Sequence, residues 1–138
     1  MKNVYNLVSD IYKLVESKEV AEGVDIESCI EQFGENVKDL MRKEFTEVRD
    51  DSRKLRMSNI GREERYLWNV YNDVDKGEDI QPHTYVKFLY GHLIEEMLLF
   101  LTRAAGHAVT DEQKLCEVNG VKGSMDCRID GVVTDVKS

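Results

Sequence analysis

Apolar residues recur at helical spacing along the front of the chain and give way to an alternating pattern at its end. Val4, Leu7, Val8, Ile11, Leu14 and Val15 share one helical face, which predicts an amphipathic helix over residues 3–20 that ends near Gly23. Ile30, Phe33, Val37, Leu40, Met41 and Phe45 predict a second helix from Asp25 or Glu27 to Val48, with Gly34 a point where it could break. Ser58-Asn59-Ile60-Gly61 reads as a loop that feeds a short helix over 62–72, carrying Tyr66, Leu67, Trp68 and Val70, with Trp68 as its core anchor. The acidic stretch 73–82 reads as a surface loop, and a third long helix runs over 83–105 and closes at Gly106. After Gly106 come Val109, Leu115, Cys116 and Val118, then Asn119-Gly120, then 121–129, then Asp130-Gly131 and 132–137. Asn-Gly and Asp-Gly between apolar runs are strong hairpin signals. The expected fold is therefore α+β: N-terminal helices followed by a three-stranded antiparallel meander, with the helices on one face of the sheet.

Composition narrows this picture. The chain has 138 residues, 41% hydrophobic and 33% charged, as in an ordinary globular protein of one core. No apolar run reaches the ~18 residues of a membrane span, and the N-terminus lacks an apolar signal core, so a cytoplasmic protein with no membrane partner is expected. Cys29, Cys116 and Cys127 are odd in number and far apart, which suits free thiols in a reducing compartment. The net charge of −8 argues against blanket coating of nucleic acid. Residues 42–65 nevertheless hold eight bases against six acids, a segment that suits either phosphate contact or a solvated helix face.

The chemistry concentrates at the end of the chain. Residues two apart on a strand share a face, so Asp135 and Lys137 project together, and the Asp130-Gly131 turn folds the preceding strand back so that Asp126 can join them. Two carboxylates and a lysine on one patch suit a divalent cation beside an anionic substrate. Upstream, Gly91-x-x-x-Glu95 lies on the long apolar helix, with Glu96 pointing about 100° away.

The ordered set Gly91-x-x-x-Glu95, Gly123-x-x-Asp126 and Asp135-Val136-Lys137 resembles the PD-(D/E)XK nuclease superfamily. The nearest look is to its RecB-like and lambda-exonuclease-like branches, phage-type members and CRISPR adaptation nucleases included. The resemblance covers residues 55–138, with 1–54 as a helical N-terminal region. It implies a restriction-endonuclease-like core and a metal-dependent DNA nuclease, an exonuclease of recombination, repair or phage DNA processing. In such a site Asp126, Asp135, the Val136 carbonyl and Glu95 hold Mg²⁺ or Mn²⁺, and Lys137 acts on the attacking water and the developing charge. The resemblance also gives Arg56, Ser58, Arg62 and Arg65 a role in binding DNA. The family core continues with a further helix and strand beyond the Asp-x-Lys strand. A core without them calls for a complementing C-terminal polypeptide or another copy of the chain. Some relatives hold an iron–sulfur cluster on four cysteines, and three dispersed cysteines here argue against one.

The bland alternatives stay beside this reading. Asp-x-Lys alone is most often a surface ion pair. Glu96 reads as solvated, or as an outer partner of the site. His92 reads as a polar helix-face residue, and His83 and His107 sit at helix ends, where capping is the usual role. Asp111, Glu112 and Glu117 read as solvent-facing acids. The rival function is a non-enzymatic helical interaction module, or an inactive nuclease-fold fragment.

Overall fold

A computed structural model describes residues 2–47, 56–72 and 80–137. The order is α1 (Leu7–Ser17), α2 (Ile26–Thr46), α3 (Glu64–Tyr71) and α4 (Pro82–Ala104), then β1 (Val109–Thr110), β2 (Leu115–Val118), β3 (Val121–Ser124), β4 (Cys127–Ile129) and β5 (Val132–Thr134). The chain is α+β, as its two periodicities predict. A 3-10 turn over Val4–Asn6 leads into α1, which stops at Ser17 because Lys18 turns left-handed at φ 60°. That is earlier than the apolar spacing suggests. Asp25 caps α2 by accepting from the N–H groups of Glu27 and Ser28, and the helix runs through Gly34 unbroken. The expected end of α2 at Val48, the boundary at 54/55, most of the 73–82 loop and the bases Arg49, Arg53 and Lys54 lie outside the described residues.

The expected single meander is corrected to two small sheets. One has the order β1-β4-β5 and the other is the β2-β3 hairpin, both antiparallel. Asn119-Gly120 and Asp130-Gly131 make the two tight turns, all four residues with positive φ (51°, 78°, 50° and 82°). The stretch 121–129, predicted as one strand, breaks at Met125 and Asp126. There the Met125 N–H bonds the Lys114 carbonyl and the Gln113 N–H bonds the Asp126 carbonyl, at 3.1 and 2.9 Å. These two bonds turn the chain from one sheet to the other, and alternation along the sequence does not report them.

The core lies beneath the C-terminal half of α4. Leu99, Cys127 and Ile129 are buried together, with Val4, Leu7, Val109 and Val136 packed around them. α2 lies along α4, with the rings of Phe33 and Phe100 tilted against each other at a centroid separation of 5.7 Å. Gly106, at φ +84°, closes α4, and a Cβ there would stand 2.8 Å from the Cβ of Ala21. Trp68 is not a core anchor: it stands 59% exposed on α3. Among the described residues no helix is long and apolar enough to cross a membrane.

Candidate functional site

The packing of Leu99 on Cys127 positions the site. Glu95 is four residues before Leu99 on α4 and so shares its face, while Asp126 adjoins Cys127 in the chain. Both acids line a cleft of about 510 Å³ between α2, α4 and the Asp111–Lys114 link. Glu95 is held above the usual carboxylate range, first by burial and then by the charge of Asp126. Two carboxylates thus oppose each other at the head of the core.

The β4-β5 register brings the third carboxylate in. Cys127 pairs with Thr134, so the next residues outward are Asp126 and Asp135. The Val136 N–H donates to Asp126 Oδ2 at 3.1 Å, and the Asp135 carboxyl lies within hydrogen-bonding reach of Asp126. Lys137 Nζ donates to Asp135 Oδ1 at 3.0 Å, the pairing expected of residues two apart. That bond holds Asp135 below the usual carboxylate range and holds Lys137 above the usual ammonium value. Lys137 also feels the charges of Asp126 and Glu95. Glu95, Asp126, Asp135 and Lys137 therefore form one electrostatic group. Asp126 sits in the break between β3 and β4, and Asp135, Val136 and Lys137 just beyond β5, rather than within strands as predicted.

The donor set suits a hard divalent cation: three carboxylates and a backbone carbonyl, all oxygen. The mutual repulsion of Glu95 and Asp126 is what a bound cation would relieve. Among the described residues, however, no three His, Cys, Asp or Glu side chains are gathered closely enough to hold a metal ion as they stand. Asp126 accepts from the Val136 N–H, and Asp135 accepts from Lys137.

Several neighbours differ from their expected roles. Glu96 is not solvated: it is half-buried, lines the cleft and accepts from Asn36 Nδ2 at 2.8 Å, which ties α2 to α4. Asp111 pairs with Arg128 at 3.0 Å and with Lys114 at 2.9 Å, and Glu112 pairs with Arg103 on α4. Gln113, which no sequence signal marks, donates from Nε2 to Glu95 Oε1 at 3.2 Å. His92 is exposed on α4, with Nδ1 3.9 Å from Glu95 Oε2. The side chain of His107 is fully buried between Asp130 and Asp10 rather than capping α4.

The DNA-contact candidates are all exposed and stand on other elements. Arg56 bridges to Lys122 of β3 through its backbone, Ser58 lies in the 3-10 turn Met57–Asn59, Arg62 stacks over Tyr66 at 5.7 Å, and Arg65 is on α3. Met57 seats that turn on Gly123. The three cysteines are free thiols; Cys127 is buried, and burial followed by the charge of Asp126 raises its pKa to about 11.

No family model, no curated protein and no solved structure matches this chain.

Proposed function

We propose that this chain is a metal-dependent DNA nuclease of PD-(D/E)XK type, hydrolysing phosphodiester bonds at the Glu95, Asp126, Asp135 and Lys137 cluster. The observation that carries this is the place of Asp126, which lines one cleft with Glu95 and accepts at 3.1 Å from the Val136 N–H, between Asp135 and Lys137. It joins an acid from α4 to the two acids flanking the β4-β5 hairpin. Glu95, Asp126, Asp135 and the Val136 carbonyl would hold Mg²⁺ or Mn²⁺. When bound, the ion would supply Lewis-acid stabilisation of the phosphoryl oxygens and an acidified water. Asp135 holds the Lys137 ammonium at the edge of the cluster. From there Lys137 would donate to the attacking oxygen and to the negative charge that builds on the phosphoryl group. Glu96, tied to Asn36, fixes α2 beside the cleft, and Arg56, Ser58, Arg62 and Arg65 would meet phosphates away from the cluster.

The test is cleavage of end-labelled linear DNA with Mg²⁺ or Mn²⁺. Cleavage that requires the metal and falls by about 100-fold or more in Asp135→Ala is the expected result. A folded chain that leaves DNA intact with either metal, both alone and with a complementing C-terminal polypeptide, would overturn it. That outcome would favour a non-enzymatic assembly module, for which one observation speaks. Val86, Tyr90, Ile94 and Met97 form an exposed apolar stripe along α4.

A further inference from the structure

We infer that Gln113 is a positioning residue of the metal site, holding the Glu95 carboxylate in place from a turn built for that purpose. The inference rests on the metal-nuclease proposal above and names a residue that the motif pattern does not include.

Gln113 makes two bonds that no other residue combines among those described. Its N–H donates to the Asp126 carbonyl at 2.9 Å, and its Nε2 donates to Glu95 Oε1 at 3.2 Å. It therefore ties the carboxylate on α4 to the backbone of the acid in the strand break. The amide has to reach Glu95 from an unfavourable backbone. Gln113 has φ 49° and Asp111 has φ 54°, both left-handed without being glycine. The neighbours hold that conformation from either side: Arg128 and Lys114 on Asp111, Arg103 on Glu112, and the Lys114 carbonyl accepting from the Met125 N–H. A plain connector between β1 and β2 has no need of two strained residues anchored to α4 and β4. The arrangement makes sense if the direction of the Gln113 side chain matters. Among the described residues Glu95 has no other amide donor; His92 stands at 3.9 Å. A ligand carboxylate left to rotate binds a cation less well, and the loss of such an outer partner typically lowers metal affinity by about 10- to 100-fold.

The experiment is Mn²⁺ binding to the full chain, read from the electron paramagnetic resonance signal of free Mn²⁺, with a thermal melt of each variant. Gln113→Met keeps the side-chain volume and removes the amide. Gln113→Gly also removes the amide, but it suits φ 49° and relieves the backbone. Both should weaken Mn²⁺ binding by about 10- to 100-fold, although their melting temperatures move in different directions. A merely structural role would instead make affinity follow stability, with the glycine variant binding like wild type. That result, or binding within about twofold of wild type in both variants while Asp126→Ala abolishes it, would overturn the role of Gln113 and leave the metal site standing. A wild-type chain that binds no Mn²⁺, or binds it equally with Asp126→Ala, would overturn the metal-nuclease proposal and this inference with it. If Gln113→Met fails to fold, the glycine variant decides.

Discussion

The imidazole of His107 has no exposed surface; its Nδ1 hydrogen-bonds Asp130 at 2.7 Å, while its Nε2 faces Asp10 at 3.3 Å without a hydrogen bond. Asp10 is bonded to Lys2 and faces Lys13, so the cluster ties α1 to the turn between β4 and β5. Burial pushes the Asp130 carboxyl up, but the His107 bond, the Ala108 N–H and the nearby charges outweigh it and leave the group below the usual 3.8. A carboxylate with a depressed folded pKa stabilises the fold above its unfolded value, and that contribution is lost as pH falls through the folded one. Asp130 therefore contributes fully at neutral pH and loses its contribution on acidification below 3.8. The melting temperature of the wild-type chain should fall from about pH 5 to about pH 3 by more than that of Asp130→Asn. Circular dichroism melts would check this, and parallel slopes would refute it. Nothing in the sequence around His107 announces the cluster, since its partners lie 97 and 23 residues away.

At the scale of elements, the 3-10 turn Met57–Asn59 is seated on β3 by the absence of a side chain at Gly123. A Cβ there would stand 2.8 Å from the Cβ and Sδ of Met57 and 2.9 Å from its Cγ. The Met57 Cβ cannot swing clear as a chain end could, so the turn itself would lift. Gly123→Ala should cost about 1–3 kcal/mol in urea unfolding, and adding Met57→Gly should recover part of it because the two sites share one contact. A Gly123→Ala chain as stable as wild type would show that the turn is loosely held. The elements legible in the sequence are those whose cause is local. Apolar spacing marks α1, α2 and α4, Asp25 marks a helix start, and Asn119-Gly120 and Asp130-Gly131 mark turns that accept left-handed backbone. The division of the sheet was not legible, because residues 113 and 114 impose it on residues 125 and 126 from elsewhere in the chain. Trp68 misled for a related reason. An aromatic residue predicts burial only when another element covers it, and α3 leaves it 59% exposed.

Over the whole molecule, charge and site are set against each other. The chain carries −8, and the cleft itself is lined by Asp39, Glu44, Glu95, Glu96, Glu112 and Asp126 against Lys43 and His92. The order of Glu95, Asp126, Asp135 and Lys137 along the chain marks them as candidates for one cluster. It did not show how acidic their surroundings are, because four of those six acids come from outside the motif. A polyanion approaches such a cleft only where cations offset the repulsion or where bases grip it at a distance. Arg62 and Arg65 are exposed on and before α3, and they would provide such a grip. Fluorescence anisotropy with a labelled duplex, in Ca²⁺ to hold back cleavage, should therefore give an affinity that falls steeply with salt. Arg62→Ala and Arg65→Ala should each weaken binding and reduce the log–log salt slope by about 1. Asp126→Ala, which removes a negative charge from the cleft, should strengthen binding when no divalent ion is present. If the arginine variants bind with unchanged slope, phosphate contact does not run through α3. If Asp126→Ala binds no better without the ion, DNA does not approach the carboxylate cleft at all.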